Sequence, residues 1–258
     1  MKRILVTRPR AQAEGFADKL RLAGFEPIFF PVIEIQPIED NPALDQALEQ
    51  LDCYEWVVFT SVNAVEVVFD VIAKNEAAEQ AFNKNLRLLR SDTVPRVAAI
   101  GPKTAEALRA RGVTPDFVPD EYVAEAILPG LGDVRGKRIL LPRAEIARKE
   151  LPEAIARAGG SAHEIAVYKT LLARPDPNGL AALQAGVDWI TFTSPSTVQN
   201  FIEIVHGQDM NPFHLAGSPK VACIGPITAQ AAREAGFEVT LVAETYTAQG
   251  VVEVLRRA

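Results

Sequence analysis

Hydroxyl and amide side chains crowd two short stretches, "FTSVNAVE" and "FTSPSTVQ", and a glycine-proline pair opens two others, "IGPKTAEAL" and "IGPITAQAA". These residue types start helices. A hydroxyl or amide oxygen accepts from the free N–H groups of a first turn, and proline fits the first helical position, where its missing N–H does no harm. In the first stretch Asn63 is placed to cap a helix, with Glu66 three residues on to close a capping box; Ser196 and Gln199 hold the same places in the second. Ser61 and Ser194 come one corner earlier, at the ends of apolar runs. Gly101 and Gly225 take the cap position before their prolines, followed by Lys103 and Thr104 in one copy and Ile227 and Thr228 in the other. The chemistry on offer is the capture of anionic groups by partial positive charge and unpaired donors. Single caps and glycine turns serve the fold in every α/β domain. Matched pairs on two domains suggest a ligand held from two sides of a cleft.

Other groups stand at strand ends. Arg8 and Arg143 each close a first strand, where a guanidinium fork meets a carboxylate or phosphate, or forms an ordinary surface ion pair. Tyr168, in "AVYKT", falls opposite Ile33 in "PVIEI". A tyrosine in such a run packs half-buried, or lends and accepts a proton at a cleft wall. Several chemistries are disfavoured. "GPKT" lacks the glycines of a phosphate-binding loop, no G-x-G-x-x-G follows the first strand, and "FTSPS" lacks the glycines of a nucleophile elbow. His163, His206 and His214 have no metal-ligand spacing, so no metal site is expected. Cys53 and Cys223 read as two small buried thiols rather than a disulfide.

The elements that must position these groups come in two copies. "KRILVTRPRAQAEGF" matches "GKRILLPRAEIARKEL" with Arg8 on Arg143, Trp56 falls on Trp189, Gly101 on Gly225 and Tyr122 on Tyr246, in unbroken order. Continuous Val/Ile/Phe runs alternate with amphipathic stretches, which predicts parallel strands buried on both faces. In the first copy the strands are "RILVT", the long "EPIFFPVIEI", "WVVFTS", "RVAAIG" and "PDFVP". Each copy supplies a five-stranded doubly wound α/β layer. The second strand is long in both copies, "SAHEIAVYKTLLARP" being its partner. The stretch "KNEAAEQAFNKNLRLLRSDTVP" reads as a surface elaboration of the first copy. A net charge of −6 argues against a nucleic-acid footprint. The basic opening lacks the apolar run of a signal peptide, and no stretch approaches the roughly 18 apolar residues of a membrane span, so a cytoplasmic protein is expected.

Together the two-copy layout, "TSVNAV" with "FTSPSTV", the doubled "IGPxTA" and the "YKT" of a long strand resemble the uroporphyrinogen-III synthase family over essentially the whole chain. The resemblance implies two flavodoxin-like parallel-sheet domains joined by a two-stranded crossover linker: residues 1–35 with 173–258, and residues 36–172. It implies a lyase that cyclises hydroxymethylbilane, a linear tetrapyrrole, to uroporphyrinogen III with loss of water and inversion of ring D, through a spiro intermediate and without cofactor or metal. Tyr168 matches the family's cleft tyrosine, helping the ring-A hydroxyl depart. Arg8, Ser61, Asn63, Gly101, Lys103, Thr104, Arg143, Ser194, Ser196, Gly225 and Thr228 become substrate-binding candidates on a monomer that uses neither nucleic acid nor membrane. The rival is a non-catalytic bilobal module that binds a carboxylate-rich small molecule.

Overall fold

The structure is a computed structural model that describes residues 1–74, 95–120 and 124–258. The surface elaboration expected from "KNEAAEQAFNKNLRLLRSDTVP" and the position of Tyr122 lie outside the described residues, apart from the ends of that stretch. The chain divides into two compact units, Met1–Glu34 with Leu171–Ala258, and Ile35–Thr170.

In chain order the first elements are β1 (Arg3–Val6), α1 (Arg10–Leu22), β2 (Glu26–Phe29), β3 (Ile33–Pro37), α2 (Pro42–Glu49), β4 (Trp56–Phe59) and α3 (Val62–Lys74). There follow β5 (Arg96–Ala99), α4 (Pro102–Ala110), the short α5 (Ala124–Ile127), β6 (Arg138–Ala144), α6 (Glu150–Arg157) and β7 (Ser161–Leu172). The chain ends with α7 (Pro177–Ala185), β8 (Trp189–Phe192), α8 (Pro195–His206), β9 (Lys220–Cys223), α9 (Pro226–Glu234), β10 (Val239–Val242) and α10 (Ala248–Arg256).

The first unit carries a sheet in the order β10-β9-β8-β1-β2, with each neighbouring pair parallel. Counted along the unit's own chain this is the doubly wound order 2-1-3-4-5, and the direction of winding reverses between β1 and β8. The second unit's sheet runs β3-β7-β6-β4-β5. Counting β6 and β7 first gives 2-1-3-4, so the reversal falls between β6 and β4. The central strands β4 and β8 are buried along their whole length, as expected where helices cover both faces. Trp56 and Trp189 open these strands at 1% and 2% exposure. Each lies under a cation from the next strand, Arg96 at 4.2 Å and Lys220 at 5.6 Å from the ring centroid. α1 shows how the helices are fixed: Ala13, Phe16, Ala17 and Leu20 follow helical spacing and are the buried face.

Three local expectations are corrected. The long strand "EPIFFPVIEI" breaks into β2 and β3, because Pro31 between them has no N–H to continue a ladder, whereas the proline-free β7 runs unbroken over 12 residues. "PDFVP" forms no fifth strand but a single parallel bridge between Phe117 and Ala98. Prolines flank it, and the Asp116 carboxylate, not a backbone carbonyl, accepts the Val97 N–H at 2.7 Å. Cys53 is exposed on a short 3-10 turn, and only Cys223 is buried.

Two outcomes test this architecture. Trp189→Ala is expected to cost about 3–5 kcal/mol in chemical denaturation; removing its cation with Lys220→Ala costs about 0.5–1 kcal/mol, and equal losses would contradict the packing described. Burial pushes the Cys223 thiol up to about 12. An aromatic disulfide reagent at pH 8 is therefore expected to titrate Cys53 in the native protein and both thiols only in denaturant. Because the folded state holds this proton more tightly than the unfolded chain, Cys223 also lowers stability as pH rises from the unfolded thiol's value towards 12.

Candidate functional site

In a parallel sheet the strand ends that lead into helices share one edge, and the reversal of winding leaves a crevice there. In the first unit β1 and β8 flank that point. Their strands are stitched by buried threonines: the Thr7 hydroxyl donates to the Thr191 carbonyl at 2.7 Å, and the Thr191 hydroxyl to the Leu5 carbonyl at 2.8 Å. Beyond them stand Arg8 and Ser194. In the second unit β6 and β4 flank the same point, with Arg143 and Ser61 in the matching places.

The helix starts differ from the expected capping. Ser194, not Ser196, caps α8: its Oγ accepts from the Thr197 N–H at 3.2 Å, and the Thr197 hydroxyl oxygen accepts from the Ser194 N–H in return. Pro195 fixes the first helical residue directly after Ser194, which moves the start forward from Ser196. Ser196 is left as a partner of the cap, its Oγ 2.9 Å from that of Ser194. In the second unit Ser61, not Asn63, accepts from the Ala64 N–H at 3.1 Å, which places Asn63 within the first turn. Glu66 closes no box; it pairs with Arg111. The glycine starts are near-identical: Gly101 has φ −175° and ψ 178°, Gly225 has φ −176° and ψ 177°, and neither helix has a side-chain cap. Thr104 and Thr228 are each 4% exposed. Lys103 is exposed at the second position of α4, where α9 presents Ile227 instead. Any Cβ at Gly225 would lie 3.0 Å from the exposed ring of Tyr246.

The aligned arginines have parted in role. Arg143 is a buried group, with Nη1 donating to Glu164 Oε2 at 3.0 Å and Nη2 to the Arg148 carbonyl at 2.5 Å. Lys149 shares the same carboxylate at 3.3 Å. Arg8 donates from Nη2 to Gln12 Oε1 at 3.2 Å and has no carboxylate partner among the described residues. Its Nε is buried without an acceptor, as is that of Arg143. Burial lowers the pKa of Arg8, yet a guanidinium keeps its proton at neutral pH. The first unit's edge thus carries a positive charge that the second unit's edge has neutralised internally.

Tyr168 owes its direction to a β-bulge. Along β6 and β7, Arg143 pairs with Ala166 but Ala144 pairs with Tyr168, so Val167 is an extra residue. Strict alternation would put Tyr168 on the face opposite Ile165 and Val167. The bulge turns it to their side, where all three pack in the cluster under α3. There its hydroxyl lies 3.1 Å from Ser61 Oγ, and the residue is 6% exposed. The aligned position in the first unit is the buried Ile33. No group of three metal-ligating side chains occurs among the described residues.

The sequence profile of the family described as "Uroporphyrinogen-III synthase HemD" matches residues 14–253, which takes in both copies of the repeat. The chain belongs to the uroporphyrinogen-III synthase family. Two named members are similar over nearly their full length. The chain is 32% identical to the uroporphyrinogen-III synthase of Synechococcus elongatus, covering 97% of this chain and 93% of that protein. It is 33% identical to a putative uroporphyrinogen-III synthase of Methanocaldococcus jannaschii, covering 98% of each. Two solved structures share the fold. A uroporphyrinogen-III synthetase from Helicobacter pylori matches with a TM-score of 0.64 at 18% identity, over 99% of this chain and 98% of that one. A mutant uroporphyrinogen III synthase from Thermus thermophilus matches with a TM-score of 0.57 at 20% identity, over 100% and 98%. Membership in the uroporphyrinogen-III synthase family makes the chain a lyase of porphyrin biosynthesis.

The divergence of the two arginines has a measurable signature. Arg143→Met leaves the Arg148 carbonyl and the Glu164 carboxylate short of a donor and is expected to cost about 1–3 kcal/mol of stability. Arg8→Met removes a partly buried cation that has no counter-charge, and is expected to be neutral within about 0.5 kcal/mol or stabilising. Equal losses in urea denaturation would place both arginines in the same structural role.

Proposed function

We propose that this chain, as a uroporphyrinogen-III synthase, uses the edge groups of its two sheets to close hydroxymethylbilane and invert ring D. What carries the reading is family membership across residues 14–253, which includes both helix-start pairs. The substrate bears acetate and propionate on every ring, while the protein's net charge is −6, so recognition has to be local. Arg8 is the strongest candidate anion partner, because its charge is neither solvated in full nor matched by a carboxylate among the described residues. The uncapped first turns at Gly101 and Gly225 offer backbone donors, with Lys103 adding a formal charge to the first. Ser194, Ser196 and Asn63 supply hydroxyl and amide groups at the remaining starts. Thr104 and Thr228 are buried. Arg143 keeps a structural part.

Holding a flexible polyanion so that its two ends meet is catalysis by positioning. Selectivity for isomer III requires more: attack at the substituted carbon of ring D has to win over the direct closure that the free bilane undergoes. Tyr168 assists departure of the ring-A hydroxyl as a proton donor. We place the enzyme in the cytoplasm as a monomer that binds neither nucleic acid nor membrane; no helix among the described residues is long and apolar enough to cross one.

Given hydroxymethylbilane generated in situ, the protein is expected to yield mainly isomer III after oxidation of the product. Isomer I at the spontaneous rate would sink the activity, and tight binding without any change in isomer would favour a binding module. Arg8→Gln is expected to raise KM about tenfold with a smaller change in kcat; an unchanged KM removes Arg8 from the site.

A further inference from the structure

Ser61 makes two contacts. Its Oγ accepts from the Ala64 N–H at 3.1 Å and lies 3.1 Å from the Tyr168 hydroxyl oxygen. A serine hydroxyl has one proton to give and two lone pairs to accept with. Among the described residues neither oxygen has another partner. If Tyr168 donates to Ser61, the serine's proton is the one left over. If Ser61 donates to Tyr168, the phenolic proton is the one left over, and it is then available to a substrate oxygen.

We propose that Ser61 is a positioning residue that holds Tyr168 as a proton donor: the Ala64 N–H bonds to the Ser61 oxygen, the Ser61 O–H to the Tyr168 oxygen, and the Tyr168 proton serves the departing hydroxyl. This rests on the reading of Tyr168 given under the proposed function, and it moves Ser61 from substrate contact to support of the acid. The physical gain is differential. A hydrogen bond donated to a phenol oxygen strengthens as that oxygen becomes a phenolate, so it favours proton release. The Ala64 N–H polarises the serine in the same sense, and it belongs to the first turn of a 13-residue helix whose positive end lies there.

The step balances without a co-reactant. Tyr168 gives its proton to the hydroxyl of the ring-A hydroxymethyl group. The C–O bond breaks with its electron pair on oxygen, and water leaves. The pyrrole nitrogen lone pair supplies the new exocyclic double bond, and the resulting cation is balanced by the phenolate that Ser61 stabilises. When the macrocycle finally closes at the unsubstituted ring-D carbon, that carbon loses a proton, and this proton restores the phenol.

The first unit cannot do the same. Ser194 caps α8 in the matching place, but its hydroxyl faces Ser196, and the aligned Ile33 has no proton to give. The relay therefore belongs to the second unit alone, and it depends on the bulge at Val167 that brings Tyr168 to the α3 side.

Steady-state kinetics on Ser61→Ala, Ser61→Thr, Ser61→Asp, Tyr168→Phe and the Ser61→Ala/Tyr168→Phe pair test the relay, each assayed below its melting temperature. Tyr168→Phe is expected to lower kcat about a hundredfold. Ser61→Ala should lower kcat about tenfold at unchanged KM, and Ser61→Thr, which keeps the hydroxyl, should recover most of it. Ser61→Asp keeps a helix cap but has no proton to donate at neutral pH, so it should be as slow as Ser61→Ala. The double variant should equal Tyr168→Phe, since a relay without its phenol has nothing to hold. Wild-type kcat in Ser61→Ala or Ser61→Asp, or losses that multiply in the double variant, would overturn the relay. A wild-type rate in Tyr168→Phe would overturn both the relay and the role of Tyr168 while leaving the activity standing. Only isomer I from the unaltered protein would remove the activity itself.

Discussion

The first turn of a helix leaves N–H groups with no partner inside the helix, and each must find one elsewhere. Much of what is distinctive in this chain follows from how its strand-to-helix corners meet that demand. α3 and α8 meet part of it with serine hydroxyls. α4 and α9 begin at glycine and proline with no side-chain cap. Each unit therefore pairs a serine-capped corner with a glycine-proline one along the same sheet edge. Because the strands are parallel, that edge also gathers the residues that follow β1, β6 and β10. The result is a concentration of donors achieved without a basic surface, in keeping with a net charge of −6 and a substrate rich in carboxylates.

The two copies share this frame but not its chemistry. Arg8 and Arg143 are aligned, yet a single carboxylate on β7, Glu164, separates an uncompensated cation from a buried ion pair. Tyr168 and Ile33 are aligned, and only one of them can move a proton. Lys103 stands where Ile227 stands in the other copy. The uncompensated arginine thus belongs to one unit, and the lysine and the buried tyrosine to the other. A substrate whose two ends must be treated differently, one losing a hydroxyl and the other being inverted, is better served by such a pair than by two equal halves.

Much of this was legible in the residues. The repeat, the Val/Ile/Phe runs and the glycine-proline starts specify two doubly wound sheets, and Trp56 and Trp189 mark matching central strands. Capping was misplaced because Ser61 and Asn63 are both competent caps two residues apart; Ser194 could have been chosen from Pro195, which announces the first helical residue. The break at Pro31 was visible, and the apolar run on either side masked it. The Arg143 to Glu164 pair and the bulge at Val167 were not readable in principle. Both depend on the register between β6 and β7, and a shift of one residue changes which side chains share a face.

The interleaved connectivity sets an order of events during synthesis. The second unit is one continuous segment, Ile35–Thr170, and has all its strands once that segment has left the ribosome. The first unit does not. β1 emerges before the whole of the second unit, but the neighbour on its inner edge is β8, whose Trp189 pairs with Ile4. Until then β1 and β2 are a two-stranded fragment with Ile4, Leu5 and Val6 uncovered, the kind of exposed apolar edge that recruits other chains. The nascent chain thus completes the inserted unit while β1 and β2 wait for their later partners, and a chaperone that shields these two strands would have its greatest effect in that interval.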